Sequence, residues 1–234
     1  MNRVVKEKLE ETRSHAFEKK VLEREKAKGK PNVDLFYQKT ISEIDDVDLA
    51  AIRRDMKREG EDITIAEIEE IAKIVKVNDH MISVSVYKRK DTKKEANAVL
   101  FLHGGGFVGG DVATKGNQCK YLAQQSGAVV VSPEYRLAPE APYPGAVEDV
   151  MGTLEWMIES AAELGIDKDK IAISGESAGG TLAANCCLRD KEGRIKLALY
   201  IYGAFDLAAA EETDYHWDYS LYEMVNDQEQ KDYI

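Results

Sequence analysis

The spacing of hydrophobic and polar positions changes near residue 71 and divides the chain into two parts. Before it, charged stretches with apolar residues at helical spacing predict helices over residues 1–30 and about 46–58. Thr64, with Glu67 three residues later, fits a capping box and predicts a third, short helix. None of these helices carries chemistry by itself, so this part is predicted to be a helical cap or packing segment.

Beyond residue 70, short apolar runs alternate with helical segments. Strands are predicted at Ile71–Val77, 82–86, Val99–Leu102, Val129–Val131, Ile171–Ser174 and Leu197–Tyr202. Helices are predicted at about 113–126, 144–163 and 178–190. Strands that alternate with helices imply right-handed crossovers and a mostly parallel sheet. The sequence therefore predicts a helical N-terminal cap, residues 1–70, followed by an α/β core, residues 71–234.

The last segment of that core, residues 206–234, has a different composition. It holds nine acidic residues against one base, Lys231, together with five aromatic residues. The acids predict a solvated face, and the aromatic residues predict an opposite face that packs on something. The segment is therefore predicted to be a cap-like tail.

Composition and charge narrow the class of protein. The formal net charge of −11 argues against a nucleic-acid partner, which would need a positive surface for phosphates. No stretch approaches the roughly 20 apolar residues of a membrane span, and no signal-peptide core opens the sequence, so we expect a cytoplasmic protein without a membrane partner. Cys119, Cys186 and Cys187 fit neither a CxxC zinc pattern nor an even disulfide set. They are expected to be reduced thiols in or near the core, and no metal site is expected.

A first glycine cluster, HGGGFVGGD at residues 103–111, directly follows a predicted strand. It contains a G-x-G-x-x-G match, which after a strand can mark a dinucleotide site, with Glu134 as the acid that binds a ribose. Such a match is weak evidence alone, and it leaves His103 and a second cluster unexplained. A P-loop is excluded because no G-K-[S/T] follows.

The second cluster satisfies G-x-S-x-G at residues 175–179, between a predicted strand and a predicted helix. A sharp turn in this motif holds the serine in a strained conformation with its hydroxyl exposed. The N–H of Ala178 and the positive end of the helix then face a developing negative charge. The first cluster supplies further N–H donors, since glycines let the backbone approach closely. Together the clusters predict acyl transfer with Ser177 as the nucleophile.

Three segments carry a family resemblance. HGGGFVGGD (103–111), SPEYRLAPEAPYPGAVEDV (132–150) and GESAGG (175–180) resemble the hormone-sensitive-lipase-like branch of the α/β-hydrolases, of the bacterial carboxylesterase type. The resemblance covers roughly residues 70–205. It implies an α/β-hydrolase fold with a helical N-terminal cap. It also implies a serine carboxylesterase or lipase-like enzyme that acts on short- to medium-chain acyl esters, which are small molecules, without a cofactor.

The resemblance also implies roles for individual residues. Ser177 is the expected nucleophile, and the N–H groups of Gly105, Gly106 and Ala178 are the expected oxyanion hole. Glu176 is expected to support its neighbours rather than contact the substrate. The remaining matched positions, His103, Tyr135, Arg136 and residues 140–149, are expected to be structural framework.

The resemblance also implies an acid and a histidine that follow the serine in the chain. The family places them after its seventh and eighth strands, whereas the residues after Ser177 reach only a sixth predicted strand. The last two strands are therefore expected to be missing. Asp206, at the end of that sixth strand, is the remaining candidate for the acid, and the alternative is a residue of a turn or a helix cap. His216 is the remaining candidate for the base, and the alternative is a residue of the cap over the pocket. His15 and His80 are expected to be surface residues.

Three explanations stay open for such a chain. It is a truncated esterase, half of a split hydrolase, or a non-catalytic binding or assembly module that keeps the pocket. An absent acid and base predict impaired turnover. Absent strands would leave Leu197–Tyr202 as a sheet edge with Leu197, Leu199 and Ile201 partly uncovered, which would suit contact between copies of the chain in a homo-oligomer.

Overall fold

The apolar runs of the sequence form the strands of one sheet. The computed structural model describes residues 49–57 and 59–205. The helix predicted over residues 1–30 and the tail 206–234 lie outside the described residues. The boundary between cap and core therefore stays a prediction, as does the absence of the family's last two strands.

Eleven elements occur in the described part of the chain. The strands are β1 Ile68–Val77, β2 His80–Arg89, β3 Ala96–Leu102, β4 Val129–Pro133, β5 Ile166–Glu176 and β6 Ile195–Ile201. The helices are α1 Leu49–Met56, α2 Val112–Ser126, α3 Gly145–Glu159, α4 Ala161–Leu164 and α5 Ala178–Arg189. All six predicted strands are observed. The helix predicted over 46–58 is observed as α1, and the one predicted over 144–163 is divided into α3 and α4.

The sheet has the order β1-β2-β4-β3-β5-β6. Strands β4, β3, β5 and β6 run parallel, whereas β2 is antiparallel to both β1 and β4. The prediction of a mostly parallel sheet is therefore confirmed. Leu102 on β3 lies opposite Gly175 on β5. Because these two strands are adjacent and parallel, both glycine clusters follow the carboxyl ends of neighbouring strands and lie on the same side of the sheet.

Alternate residues of the central strands enter two separate cores. Leu100 and Leu102 of β3 pack in the larger core with residues of α3 and α5. Phe101, between them, packs in the smaller core with residues of α2. Burying a side chain of this size contributes about 1.5–3 kcal/mol. Helices on both faces thus explain why these strands are continuous apolar runs rather than alternating ones.

Residues 64–67 do not form the predicted third helix, and β1 begins directly after them. The N–H groups of Ile65 and Ala66 both donate to Oε1 of Gln124 on α2, at 2.7 Å each. A side chain distant in sequence therefore accepts from two N–H groups that a helix beginning here would have left without an acceptor of its own. The prediction is wrong because contacts with α2 and the pairing of β1 with β2, which starts at Ile68, hold this stretch outside a helix.

Asp149, in the stretch expected to be framework, is a fully buried carboxylate on α3. It accepts from the backbone N–H of Arg136 at 2.8 Å and from the guanidinium of Arg136 at 2.8–3.0 Å. His80 Nε2 lies 2.8 Å from Asp149 Oδ1. The expectation that His80 is simply a surface residue is wrong, since β1 packs on α3 and brings the β1–β2 turn to this carboxylate.

The cysteines are free, as expected, with Cys119 and Cys186 buried and Cys187 half-buried. Burial raises the pKa of both buried thiols to about 12, so they stay protonated. No helix in the described ranges is long and apolar enough to cross a bilayer. The same ranges hold no cluster of acids, histidines and cysteines that could bind a metal ion.

Strand β6 pairs with β5 alone among the described strands. Leu197 is 67% exposed and Leu199 is 57% exposed, whereas Ile201 is half-buried. These three residues lie opposite Ala172, Ser174 and Glu176 of β5. The prediction that this edge carries partly uncovered apolar side chains is therefore confirmed for the described residues.

Candidate active site

Ser177 lies in the turn between β5 and α5, with φ 51° and ψ −124°. This is a left-handed conformation that residues with a Cβ rarely adopt, and it costs about 1–3 kcal/mol. Ser177 is exposed, whereas Glu176 and Ala178 on either side of it are buried. An exposed serine on a strained strand-to-helix turn is the arrangement that G-x-S-x-G predicts.

Close approach of the backbone explains the small residues around this serine. A Cβ atom at Gly175 would lie 2.3 Å from the carbonyl oxygen of Gly179. A Cβ atom at Gly179 would lie 2.3 Å from the carbonyl oxygen of Leu102. The turn is therefore pressed between the end of β3 and the start of α5, and neither glycine accepts a side chain without a backbone shift.

The first glycine cluster packs directly on this turn. A Cβ atom at Gly104 would lie 2.9 Å from the carbonyl oxygen of Glu176 and 3.2 Å from Cβ of Ser177. Only a residue without a side chain fits so close to both. The two clusters, about 70 residues apart in sequence, are therefore brought together.

The residues after Gly104 form a tight turn. The N–H groups of Val108 and Gly109 both donate to the carbonyl oxygen of Gly105, at 3.2 and 2.9 Å. Gly105 contributes only its carbonyl to this turn, and the N–H of Gly106 is not used in it. Ala178 is the first residue of α5, so its N–H has no acceptor within the helix. These three N–H groups remain the candidates for an oxyanion hole.

His103 is fully buried and stacks on Tyr135, with ring centroids 4.2 Å apart and planes 9° apart. Its Nδ1 lies 2.9 Å from the carbonyl oxygen of Gly104, and Tyr135 donates its hydroxyl to the carbonyl oxygen of His103 at 2.6 Å. Burial lowers the pKa of His103, so the imidazole is neutral. The contacts suit the structural role expected for this residue.

Two carboxylates close the N-terminal end of α2, directly after the first glycine cluster. Asp111 is the N-cap and accepts from the N–H of Thr114 at 2.8 Å. Glu134 Oε2 accepts from the N–H of Val112 at 3.0 Å. A pyrophosphate would need free N–H groups and no nearby negative charge. This arrangement argues against the dinucleotide interpretation, in which Glu134 would have bound a ribose.

Glu134 leads to a prediction about pH. Burial raises the pKa of Glu134 above its ordinary value of 4.5, although the N–H of Val112 favours the carboxylate. Because the folded-state pKa is raised, the protonated side chain of Glu134 contributes to the free energy of unfolding below pH 4.5. This contribution is lost as the pH rises through the folded-state pKa. Glu134→Gln keeps an acceptor for Val112 and removes the charge. It should therefore unfold at higher urea concentration than the parent at neutral pH, and the gain should vanish at acid pH. A less stable variant at neutral pH would contradict this.

The strain at Ser177 leads to a prediction about stability. Ser177→Ala keeps a Cβ at φ 51°, whereas Ser177→Gly removes it. After the entropy cost of glycine, the Gly variant should be about 1 kcal/mol more stable than the Ala variant. Thermal unfolding of both variants measures the difference. Ser174, in the extended strand β5, is the control, because Gly should be the less stable choice there. A Gly variant at 177 that is no more stable than the Ala variant would exclude backbone strain.

The candidates for acid and base, Asp206 and His216, lie outside the described residues. The described histidines are His80, which binds Asp149, and His103, which is enclosed in the core. Neither therefore replaces His216 as the candidate base. Both assignments stay predictions from the sequence.

Sequence reasoning missed two residues that contact the turn. Lys115 on α2 forms an ion pair with Glu176, and the hydroxyl of Tyr202, just beyond β6, donates to Glu176 Oε2 at 2.8 Å. No local motif contains either residue, since each reaches Glu176 only through the sheet order. The supporting role of Glu176 stays a prediction, and its two partners became visible only in the folded chain.

Sequence reasoning also missed Arg53 on α1. Its Nε donates to the carbonyl oxygen of Val108 at 2.7 Å, and its guanidinium binds both oxygens of Glu140 at 2.6–2.8 Å. This contact ties α1 to the first glycine cluster. A cavity of about 420 Å³ lies beside it, and Ser177 is not among its lining residues.

Comparisons with known proteins agree with this geometry. A family model described as alpha/beta hydrolase fold matches residues 99–233. Esterase LipI of Mycobacterium tuberculosis is 47% identical over 98 residues, which make up 42% of this chain and 31% of that protein. An arylesterase of Saccharolobus solfataricus is 34% identical over 152 residues, 63% of this chain and 49% of that protein. The chain thus spans at most about half the length of these curated relatives.

A solved esterase structure from Pyrobaculum calidifontis has a TM-score of 0.61 at 36% identity and matches 69% of this chain and 54% of its own. Human hormone-sensitive lipase is 35% identical over 133 residues, 56% of this chain and 12% of that protein. The resemblance inferred from the glycine clusters is therefore confirmed. The described sheet carries both glycine clusters at the carboxyl ends of neighbouring strands. Since the family model also covers more than half of the sequence, the chain belongs to the α/β-hydrolase fold family.

Proposed function

We propose that this protein is a carboxylic ester hydrolase that acts on short- to medium-chain acyl esters through an acyl-enzyme on Ser177. One observation carries the proposal: an exposed serine with φ 51° lies against a glycine turn, with Cβ of Ser177 3.2 Å from where a Cβ of Gly104 would stand. The reaction class is supported by relatives that are named esterase, arylesterase and hormone-sensitive lipase.

The proposed reaction proceeds in two halves. Oγ of Ser177 attacks the ester carbonyl and gives its proton to a base, for which His216, oriented by Asp206, is the candidate. The carbonyl oxygen becomes an oxyanion that the N–H groups of Gly105, Gly106 and Ala178 stabilise. The intermediate then expels the alcohol, which takes up the proton, and leaves an acyl ester on the serine. Water repeats the attack and releases the carboxylic acid and the free serine.

Labelling with a fluorophosphonate tests the assignment of Ser177. Trypsin should release residues 171–189, between Lys170 and Arg189, as one peptide that carries the phosphonyl mass. This peptide also contains Ser174, so Ser174→Ala is the matched control and should label like the parent. Ser177→Ala should not label. An unlabelled parent, or equal labelling of Ser177→Ala, would refute the proposal.

A second candidate function, a homo-oligomeric assembly module, is favoured by the apolar edge of β6. Leu197 and Leu199 are 67% and 57% exposed there. A strand edge that has no partner among residues 49–57 and 59–205 and carries such side chains favours association with another copy of the chain. Sedimentation over a range of concentrations tests this, with Leu199→Lys as the variant. An oligomer that Leu199→Lys dissociates, in a chain that does not label at Ser177, would favour this function over the first, and a monomer at every concentration would exclude it.

A further inference from the structure

A buried carboxylate immediately precedes the candidate nucleophile. The side chain of Glu176 is 9% exposed, and its two oxygens bind different elements. Oε1 forms an ion pair with Lys115 on α2, and Oε2 accepts from the hydroxyl of Tyr202 at 2.8 Å. A buried charge is tolerated only when it is paired in this way. Glu176 therefore connects α2 to the segment that follows β6.

The charge state of Glu176 agrees with these contacts. Burial alone would raise the pKa of Glu176, but hydrogen bonds from Lys115 and Tyr202, together with the charge of Lys115 and a hydrogen bond from Gln118, outweigh it and hold the pKa below its ordinary value of 4.5. The side chain is thus a carboxylate at neutral pH. Removal of the lysine would leave a buried negative charge that must take up a proton or move toward water.

The end of β6 and the segment after it also hold the turn through their backbone. The N–H of Ser177 donates to the carbonyl oxygen of Ile201 at 2.8 Å. Thr181, in the first turn of α5, donates its hydroxyl to the carbonyl oxygen of Ala204 at 2.8 Å and accepts from the N–H of Ala204 at 3.0 Å. Tyr202 lies between these contacts. Its own φ of 42° is left-handed, so the segment itself needs support to keep its shape.

Glu176 also contacts the other half of the candidate site. A Cβ atom at Gly104 would lie 2.9 Å from the carbonyl oxygen of Glu176 and 3.5 Å from its Cγ. The side chain is therefore held between the first glycine cluster and its partners, Lys115 and Tyr202. A shift of Glu176 would move the serine and the glycine turn relative to each other.

We propose that Lys115 and Tyr202 are positioning residues, which hold Glu176 in place and thereby keep Ser177 in its strained conformation against Gly104. The proposal deepens the function proposed above and rests on it for its kinetic readout. Neither residue is assigned contact with the substrate. Both act on the geometry of the turn, for which a misplacement of about 1 Å can cost about 100-fold in rate.

The test compares two lysines of the same helix. Lys115 is 25% exposed and pairs with buried Glu176, whereas Lys120 is 26% exposed and pairs at 3.2 Å with Glu70, which is 46% exposed. Lys115→Met should slow fluorophosphonate labelling of Ser177 by about 10- to 100-fold. Lys120→Met removes an equally exposed lysine whose partner lies on β1 instead of at the turn, and it should label at the parent rate. Equal rates for the two variants would overturn the proposal.

Two further variants separate positioning from stability. Tyr202→Phe removes only one hydroxyl and should keep the fold, so it tests the proposal even where Lys115→Met does not fold. It should slow labelling by about tenfold. Glu176→Gln in the Lys115→Met background removes the unpaired charge and should restore the melting temperature. If it restores the parent labelling rate as well, the lysine only stabilises the fold and the proposal fails.

Hydrogen exchange of the Ser177 amide keeps the proposal testable if the parent does not label. That amide donates to Ile201, so its exchange reports whether the turn stays closed. Failure of the parent to label would refute the proposed function alone. Faster exchange in Lys115→Met than in Lys120→Met would still support the positioning role, and equal exchange would refute it.

Discussion

Gly105→Ala should slow acylation of Ser177 by at least about 100-fold, because it forces open the turn that carries two candidate oxyanion donors. A Cβ atom at Gly105 would lie 2.1 Å from the carbonyl oxygen of Gly109 and 2.4 Å from its carbonyl carbon. The obstacle is backbone, which cannot rotate away. Gly105 also has φ +135°, which an alanine rarely adopts. The rate of fluorophosphonate labelling measures the effect.

Alanine substitutions at two other glycines distinguish the effect of the steric clash from the cost of a left-handed backbone. Gly127, with φ +67° and nothing within 4 Å of an added Cβ, is distant from the turn. Gly127→Ala should cost about 1 kcal/mol of stability and leave labelling unchanged. Gly106, with φ +61° and only Val108 at 3.9 Å, should give an intermediate loss. A labelling rate for Gly105→Ala within about threefold of the parent would show that this turn does not set the chemistry.

Asp149→Asn should lower the free energy of unfolding by about 1–3 kcal/mol, since it places an NH₂ group at a fully buried position that is surrounded by donors. Both oxygens of Asp149 accept hydrogen bonds from Arg136, and Oδ1 also lies 2.8 Å from His80 Nε2. Whichever way the new amide is oriented, its NH₂ faces a donor. Urea denaturation at neutral pH measures the loss.

The matched control is the neighbouring acid on the same arginine. Glu148 lies 3.5 Å from the guanidinium of Arg136 and is 51% exposed, whereas Asp149 is fully buried. Glu148→Gln should change stability by less than about 1 kcal/mol, because exposed ion pairs contribute little. If the two variants lost the same amount of stability, burial of Asp149 would not be the cause.

The Asp149 contact matters for the candidate site because of its neighbours in the chain. Arg136 is held against α3 by Asp149, and the preceding residue, Tyr135, stacks on His103 at the start of the first glycine cluster. Loss of the carboxylate should therefore loosen the support of that cluster. This connects a residue expected to be framework with the geometry of the glycine turn.

Local features of the sequence were sufficient to predict the strands, the main helices and the meeting of the two glycine clusters. Apolar runs such as Val129–Val131 mark strands covered on both faces, because helices pack on each side of the sheet. The pattern at 175–179 specifies a tight strand-to-helix turn through small residues that are neighbours in the chain. Such signals are contained within a few residues, so they can be recognised without coordinates.

Contacts between distant parts of the chain could not be predicted in the same way. Glu134 binds the first turn of α2 rather than a ribose, and Gln124 accepts from the N–H groups of Ile65 and Ala66, where the sequence predicted a helix. His80 meets Asp149 across 69 positions. Each of these pairings depends on which strands are neighbours in the order β1-β2-β4-β3-β5-β6.

The sequence by itself thus determined the two parts of the candidate site, a serine on a strained turn and a glycine-rich loop. It could do so because each motif constrains the backbone over only a few residues. Only the tertiary structure decided which charged side chains support that turn. Lys115, Glu176 and Tyr202 come together because α2, β5 and the end of β6 are adjacent in the fold. The energy of such a buried charge cluster depends on the packing that surrounds it, and no spacing along the chain encodes that packing.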